Sequence, residues 1–436
     1  MSIAPKTIES LNQSDATKIF FTDLNGKNMC LSVSGKKIES IIQNGVGFDG
    51  SSIAGYARVE NSDRLLLPDP QTLHTIQFTD GSEDCFIGKI YDQSGQRSAV
   101  DPRSVLEQVL DAAENDFGFR FTIGPEHEFF LLTGDEQGGP VHADGAGYFH
   151  AAPQDKGEVV RKQIAETLKT AGIHYEKHHH EVTLSQHEIN LEPADPLEGA
   201  DRTVMFNYIA QKVAAEAGYR LTFMPKPFDD YNRNAFHIHL SVCDRDGKNL
   251  FSDGDQPHGI SELARHFIGG ILKYARETSL IMASTYNSYK AYVLAREAPI
   301  VRGWGLANRS SMVRIPYSTG PASTRLELRS PDPLGNVYLQ VAVLIAMGVQ
   351  GVRENLDCGK PDAGSTYSKR YKNRIIDRHF LPKCLFEALM EAEKSRFLKG
   401  VLGEHLYDNY LALKTNQWEM HRTHVTGLEH LSYLDR

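Results

Sequence analysis

Two glutamates in the segment GPEHEFF are spaced so that both can serve one ligand. Side chains two residues apart in a β-strand point to the same face, so Glu126 and Glu128 share one face while His127 and Phe129 share the other. Carboxylate oxygens are the ligands that hard divalent cations prefer. The segment therefore predicts a strand that presents a divalent-cation site on one face.

Two further segments repeat this pattern. In AFHIHLSV, His237 and His239 share a face, and in TRLELRS the same holds for Arg325, Glu327 and Arg329. A single strand of this kind usually belongs to a half-buried sheet and turns its charged face to solvent. Thr, Ser and Lys are common on such solvent-exposed faces. Three strands that carry Glu, His and Arg instead indicate a lined cavity, in which carboxylates bind metal ions and arginines bind phosphate oxygens.

A fourth segment, HHHEVTLSQHE, concentrates histidines and glutamates. Its members are His178, His179, His180, Glu181, His187 and Glu188. A zinc site is disfavoured because no cysteine is near and no His-Glu-x-x-His helix is formed. Surroundings rich in carboxylates favour the harder ions, so we expect Mg²⁺ or Mn²⁺.

Any nucleotide must be held without a phosphate-binding glycine loop. No G-x-x-x-x-G-K-[ST] occurs, and GVGFDG (45–50) matches G-x-G-x-x-G but is followed by SSIAGYARVENSD, which has no helical periodicity. Arginines are concentrated instead, with Arg309 and Arg314 just upstream of Arg325 and Arg329. On their own these arginines fit an ion-paired scaffold as well as a phosphate clamp.

Composition narrows the class of partner. The chain has 436 residues and a formal charge of −9, with no long run of either sign, which disfavours nucleic acid. Cations, amines and nucleotides escorted by metal ions remain. Five scattered cysteines and an N-terminal segment without the basic start and apolar core of a secretory signal predict a cytoplasmic protein. VYLQVAVLIAMGVQGV (337–352) is too short and too polar for a membrane span and predicts a buried helix.

The elements that must position these residues fall into two regions. Short strand-like runs such as KIFFTDL and TIQFTD extend to about residue 95, and a helix over SVLEQVLDAAENDFG follows. Beyond it, strands alternate with helices, among them EVVRKQIAETLKTAG and ISELARHFIGGILKYARETSLIMA. We expect an α+β protein with domains at 1–97 and 98–436.

Together these motifs resemble type I glutamine synthetase. The matching segments, in order, are GFDGSSIAG, GPEHEFFLL, GYF, HHEVTLSQHEINLE, MPKP with FHIHLS, NSYK, EAP, NRSSMVRIP and RLELRSPDP. The resemblance implies a β-grasp domain followed by a catalytic domain, with a curved antiparallel sheet and flanking helices. It also implies a homododecamer of two stacked hexameric rings, with active sites shared between neighbours.

The resemblance implies a two-step reaction and a role for each matching residue. ATP would phosphorylate a carboxylic acid to an acyl phosphate, and ammonia or a small amine would then displace phosphate. The metal ligands would be Glu128, Glu181 and Glu188 for one ion and Glu126, His237 and Glu327 for the other. The phosphate and transition-state arginines would be Arg309, Arg314, Arg325 and Arg329, with His239 and Ser241 beside the nucleotide. The ammonium pocket would be Asp49, Ser52, Tyr148 and Glu181, with Asp49 as the base and Glu297 as a flap residue.

The chain departs from the family at the amino-acid pocket. The family's Tyr-Lys-Arg reads Tyr289-Lys290-Ala291, which removes the arginine that grips the α-carboxylate of glutamate. The loop usually written Asn-Gly-Ser-Gly reads 232–235 as Asn-Arg-Asn-Ala, and Arg296 precedes Glu297. We expect an acid other than α-glutamate. The alternatives are plain glutamine synthetase in which Arg233, Arg296 or Arg302 compensates, and an inactive regulatory or structural relative.

Overall fold

The computed structural model describes residues 11, 16–134, 139–293, 298–366 and 379–436. The strands, β1 to β15 in chain order, are Ala16–Thr22, Asn28–Ser34, Val46–Asp49, Asp63–Pro68, His74–Phe78, Gly81–Tyr91, Arg120–Gly134, Pro140–His142, Tyr175–His180, Gln186–Leu191, Arg220–Thr222, Phe236–Cys243, Trp304–Leu306, Val313–Ile315 and Leu326–Leu328. The helices, α1 to α11, are Ile38–Asn44, Pro102–Phe117, Glu158–Thr170, Pro196–Glu216, Glu262–Tyr274, Ser279–Met282, Val337–Arg353, Leu385–Glu393, Arg396–Leu402, Glu404–Arg422 and Gly427–Tyr433.

The first six strands form one sheet in the order β2-β1-β6-β4-β3, with β5 on β6. Strand β1 pairs parallel with β6 and antiparallel with β2. The β1–β2 hairpin turns at Gly26, whose φ is +88° and whose missing Cβ would lie 2.7–2.8 Å from the backbone of Gly335 and Asn336. A side chain at this turn would therefore collide with the second domain.

The remaining strands form the C-terminal sheet in the order β13-β14-β15-β12-β7-β10-β9, with β8 and β11 on β7. All pairs are antiparallel except β13 with β14, so the expected antiparallel sheet is mixed at one edge. The register places His237 opposite Glu126, His239 opposite Glu327, and Glu188 opposite Glu128. Because facing residues in neighbouring strands point to the same side, this register brings the predicted charged faces onto one surface.

Helices cover the other side of this sheet. Helix α2 begins at Asp101, whose carboxylate accepts the backbone N–H of Arg103, and ends at Gly118 in the left-handed conformation. Helix α7 is buried around most of its circumference, which confirms the predicted core helix. The single helix predicted over 260–283 is wrong: it divides into α5 and α6, and the intervening Arg276 is buried against Glu387 and Glu391 of α8.

Side-chain hydrogen bonds tie the two regions together. Asn336, which caps α7, donates from Nδ2 to Thr22 Oγ1 at 3.0 Å and to the Asp23 carbonyl at 2.9 Å. Lys414 of α10 donates to Asn25 Oδ1 at 2.7 Å, and Lys18 donates to the Tyr208 hydroxyl at 2.6 Å. Among the helices that the structure describes, none combines the length and the apolar content needed to span a bilayer.

Candidate active site

The charged surface of the C-terminal sheet lines a cavity of about 740 Å³. Most of the residues that the sequence singled out line it, from three long strands, β9 and the segments around β14 and β15. They are Glu126, Glu128, Tyr148, Glu181, Glu188, His237, His239, Ser241, Arg309, Arg314, Arg325, Glu327 and Arg329. Three strands predicted independently to carry charge on one face therefore contribute to one site.

One group of ligands lies at the centre of the cavity. Glu126, His237 and Glu327 each offer an atom within 4.8 Å of the other two. His237 Nδ1 lies 3.0 Å from Glu126 Oε2 and 3.8 Å from Glu327 Oε1. His237 Nε2 is buried and has no hydrogen-bond partner among the described residues. This is the set that the resemblance implied for one metal ion.

The second group differs slightly from the expected one. His179, Glu181 and Glu188 offer atoms within 4.8 Å of one another, with His179 Nε2 2.9 Å from Glu181 Oε1. Glu128 lies beside them, and its Oε2 accepts the Ala235 N–H at 2.9 Å and Gln186 Nε2 at 3.1 Å. The sequence pattern did not assign His179, although strand alternation places it on the face opposite to His178 and His180.

The crowded carboxylates of the cavity shift one another's pKa values. Burial, reinforced by the charge of Glu181, raises the pKa of Glu128 to about 8. Burial and three neighbouring carboxylates likewise raise the pKa of Glu188 well above its ordinary value. Burial acts in the same sense on Glu327, but Arg329 and two histidines outweigh it and lower its pKa to about 2. The oxygen-rich donor set and its excess negative charge fit hard divalent cations such as Mg²⁺ or Mn²⁺.

The four arginines form the positive side of the cavity. Arg314 Nη1 donates to Glu327 Oε2 at 2.6 Å, and Arg329 Nη1 donates to Glu327 Oε1 at 2.5 Å. Arg325 Nε donates to His239 Nδ1 at 3.1 Å, and Arg309 Nη2 donates to the Tyr148 hydroxyl at 3.2 Å. Guanidinium groups held this way by polar partners can bind phosphate oxygens in two or more directions.

An aromatic wall stands next to Glu181. The rings of Tyr148 and Phe149 stack at 4.0 Å between centroids, and His179 packs edge-on at 4.8 Å from Phe149. Phe149 was not singled out from the sequence, and its side chain is 64% exposed. Together with the Glu181 carboxylate, these rings bound a small region that suits a cation.

Two expected ammonium-pocket residues do not line this cavity. Asp49 ends β3 and Ser52 follows in a short turn, both on the N-terminal sheet and at least partly exposed. Hydrogen bonds from Ser51 and Ser52 lower the pKa of Asp49, so the group is anionic at neutral pH. The four residues expected to form the ammonium pocket are thus divided. Tyr148 and Glu181 lie in the cavity, and Asp49 and Ser52 lie elsewhere on the chain.

The candidate compensating arginines have different positions. Arg233 does not line the cavity: it is 4% exposed, and its guanidinium donates to backbone carbonyls after β15. Arg302 donates to the Leu272 carbonyl at 3.1 Å, also outside the cavity. Arg296 and Glu297 lie outside the described residues. Ala291 is buried at the end of a short helical turn, Ser288–Ala291.

The rest of the histidine cluster does not line the cavity, although His180 and His187 form a third group with metal-ligand spacing together with Asp144. His180 and His187 are fully buried with Asp144 on the side away from the cavity. His180 Nδ1 lies 2.7 Å from the Glu181 carbonyl and Nε2 3.1 Å from Asp144 Oδ1. Burial disfavours the imidazolium, but these two acceptors outweigh it and raise the pKa of His180. Arg161 of α3 is paired with Asp155, and its Nη1 lies 2.6 Å from His187 Nδ1, so this cluster connects α3 to β10.

Comparison with known proteins identifies the family. The family model described as the glutamine synthetase catalytic domain matches residues 99–433, and that of the glutamine synthetase β-grasp domain matches residues 15–93. The glutamine synthetase of Methanosarcina mazei is 38% identical over 421 residues, which cover 95% of this chain and 93% of that protein. The glutamine synthetase of Thermotoga maritima is 37% identical over 422 residues, 96% of this chain and 95% of that protein.

Solved structures agree with this assignment. A structure described as the GmaS/ADP complex has a TM-score of 0.88 and 28% identity, and covers 99% of this chain and 100% of that one. A Plasmodium falciparum glutamine synthetase structure shares the fold, with a TM-score of 0.86 at 22% identity and 99% coverage of both chains. Both domain models, the full-length relatives and the geometry of the cavity agree: the chain belongs to the glutamine synthetase family of ATP-dependent C–N ligases.

Proposed function

We propose that this chain uses ATP to activate a carboxylic acid as an acyl phosphate and then joins it to ammonia. The observation that carries the proposal is the convergence, in one cavity, of two carboxylate–histidine groups and four arginines. The description of the neighbouring GmaS structure as an ADP complex supports a nucleotide in the same cavity. Paired cation sites facing arginines are what phosphoryl transfer requires.

Two sets of residues would hold the divalent cations. Glu126, His237 and Glu327 form one set, and Glu128, Glu181 and Glu188 form the other, with His179 in contact with the latter. Bound Mg²⁺ or Mn²⁺ would neutralise phosphate charge and polarise the phosphorus–oxygen bonds.

Other residues of the cavity would bind the nucleotide and the transferring phosphoryl group. His239, Ser241 and Arg325 line the cavity, with Arg325 in contact with His239, and would orient the nucleotide. Arg309 and Arg329 would hold the γ-phosphoryl group while an oxygen of the acid attacks phosphorus and ADP leaves. Ammonia attacks the carbonyl carbon of the acyl phosphate, the phosphate leaves with the former acid oxygen, and a carboxylate takes the surplus proton.

The ammonium site is best explained by a neighbouring copy of the chain. Tyr148 and Glu181 are in the cavity, and Asp49 and Ser52 would come from the N-terminal domain of the next subunit in a hexameric ring. The exposed apolar side chains of the last helix, Leu428 and Leu431 at 73% and 88% exposure, support contact between copies. We propose a homododecamer, with Asp49 as the base that deprotonates ammonium and Glu297 as a flap residue.

We further propose that the acid is not α-glutamate. The neighbour of Ala291, Tyr292, donates its hydroxyl to the Ser330 carbonyl at 2.6 Å, so position 291 lies near the segment that follows Arg329. Ala291 itself is buried and does not line the cavity, and alanine offers no charge to an α-carboxylate where the family carries an arginine. Arg233 does not replace it, because it does not line the cavity and its Nη1 and Nη2 donate to backbone carbonyls.

A second candidate is plain glutamine synthetase, which the names of the curated relatives favour. The two candidates are separated by Mg²⁺-dependent ADP release measured with ammonia and a panel of acids that includes glutamate, β-amino acids and dicarboxylates. Saturation with glutamate at ordinary metabolite concentrations would establish the second candidate. A sharp preference for another acid, together with a gain in glutamate activity for Ala291→Arg, would establish the first. If no acid supports ADP release, the remaining candidate is an inactive regulatory or structural relative.

A further inference from the structure

The loop that leads into β12 is attached to one side of the cavity through its backbone. The Ala235 N–H donates to Glu128 Oε2 at 2.9 Å. Gln186 Nε2 donates both to the Arg233 carbonyl at 2.7 Å and to Glu128 Oε2 at 3.1 Å. The backbone at 233–235 is therefore fixed relative to a proposed cation ligand.

The Arg233 side chain reaches the backbone of the segment that follows β15. Its Nη1 donates to the Ser330 carbonyl at 3.3 Å and to the Pro331 carbonyl at 3.2 Å, and its Nη2 donates to the Arg329 carbonyl. These carbonyls belong to three consecutive residues. A planar guanidinium can satisfy such a row of acceptors, whereas an ammonium group cannot reach all three.

The segment so held carries Arg329. Its backbone N–H donates to the Met312 carbonyl at 2.9 Å, and its carbonyl accepts from Arg233, so both peptide groups around its Cα are anchored. The Arg329 side chain then lines the cavity, 2.5 Å from Glu327 Oε1. Tyr292 adds a second hold on the segment through its bond to Ser330 and lies with its ring 5.7 Å from the Arg233 guanidinium.

We propose that Arg233 is a positioning residue, which clamps the backbone of 329–331 and thereby keeps the Arg329 guanidinium directed at the transferring phosphoryl group. The inference rests on the proposed function, because it assigns Arg233 an effect on that reaction. A group misplaced by about 1 Å can lower the rate by about a hundredfold, so a loose segment would reduce turnover more than nucleotide binding.

Steady-state kinetics of Arg233→Lys test the proposal, with Arg276→Lys as the matched control. Arg276 is also a buried arginine that donates to a backbone carbonyl, that of Phe380, but it does not line the cavity. We expect Arg233→Lys to lower kcat by about tenfold or more while KM for ATP changes by less than about threefold. Arg276→Lys should lower the melting temperature and leave kcat within about twofold of wild type. Equal kcat in the two variants would overturn the proposal.

A double-mutant cycle shows whether Arg233 acts through Arg329. The variant Arg233→Lys/Arg329→Lys should turn over at the rate of Arg329→Lys alone, because the clamp has no other target. If the kcat losses of the two single variants multiply in the double variant, the proposal is refuted. If Arg233→Lys does not fold, Tyr292→Phe removes the second hold and should lower kcat by about threefold, and an unchanged kcat would refute it.

The same experiment separates this inference from the proposed function. Wild-type protein that is inactive with every acid refutes the proposed function, and the role of Arg233 falls with it. Active wild-type protein with an equally active Arg233→Lys variant refutes only the positioning role.

Discussion

At the scale of single residues, Glu327 joins the two kinds of group in the cavity, the carboxylate–histidine set and the arginines. It is 1% exposed, receives Arg314 and Arg329 on its two oxygens, and lies in the first carboxylate–histidine group. A buried carboxylate held by two arginines stays ionised, as its lowered pKa shows. At neutral pH it therefore carries the negative charge that the proposed cation site needs.

We expect Glu327→Gln and Glu327→Ala to reduce ligase turnover by at least about a hundredfold, because an uncompensated phosphoryl charge remains when one ligand is lost. ADP release in the presence of Mg²⁺ measures the effect. Glu166→Ala, an exposed site on α3, is the control and should be neutral. Near-normal turnover of the Glu327 variants would contradict the assignment of Glu327 as a ligand of a divalent cation.

The raised pKa of Glu128 predicts how pH and metal interact. In metal-free protein this carboxyl holds its proton up to about pH 8, whereas in the unfolded chain it ionises near its ordinary value of 4.5. Its contribution to stability is therefore complete below that value and is lost as pH rises to about 8. Cations bind the ionised form, so Mg²⁺ affinity should rise by about tenfold per pH unit for each proton displaced.

The expectation is checked by calorimetric titration with Mg²⁺, between about pH 6 and 8, of protein from which a chelator has removed metal ions. Binding of Mg²⁺ must release protons. The thermal shift produced by Mg²⁺ should be larger at the higher pH. The Glu128→Gln variant supplies the control and should weaken the dependence, with the raised pKa of Glu188 accounting for what remains. An affinity that is independent of pH in wild-type protein would contradict the assignment.

At the scale of elements, the sequence showed which face each strand would present but not which strands would be neighbours. Alternation in GPEHEFF and AFHIHLSV is a local property, so the shared faces of Glu126 with Glu128 and of His237 with His239 were predictable. Register depends on pairing across more than a hundred residues, as for His237 opposite Glu126. The place of Arg233 was not predictable either, because the direction of a long side chain depends on which acceptors the fold brings near.

The hairpin at Gly26 tests how firmly the two domains are joined. Gly26→Ala combines a positive φ with a collision against the backbone of Gly335 and Asn336, and we expect a loss of about 2–5 kcal/mol in the free energy of unfolding. Gly95→Ala is the matched control, since its φ is +77° and open space surrounds it, and it should cost only about 1 kcal/mol. Urea unfolding measures both. Equal losses would mean that the domains separate easily at this turn.

At the scale of the whole molecule, the positions of Asp49 and Ser52 outside the cavity are the observation on which the proposed sharing of sites between chains rests. The family resemblance placed them in the ammonium pocket, and the single chain leaves them on the N-terminal sheet. No local pattern in the sequence separates a residue that serves its own cavity from one that serves a neighbour's. Only the position of the element in the fold does so.

Complementation between two inactive variants tests whether sites are shared. Asp49→Ala and Glu327→Ala should each lack ammonia-dependent turnover, but co-expressed chains should recover up to about a quarter of wild-type activity, because some sites receive both intact residues. Separate expression followed by mixing below the assembly concentration is the control. Absence of recovery in a mixed assembly of confirmed composition would place Asp49 and Glu327 in the same chain's site.

The most direct test of ligase chemistry in this cavity follows an oxygen atom. The acid that releases most ADP is supplied with ¹⁸O in its carboxylate, together with ATP, Mg²⁺ and ammonia, and the released phosphate is examined by mass spectrometry. Attack of the carboxylate on the γ-phosphorus predicts one ¹⁸O in each phosphate and equal amounts of amide and ADP. Unlabelled phosphate, released without amide, would show simple ATP hydrolysis and contradict the account.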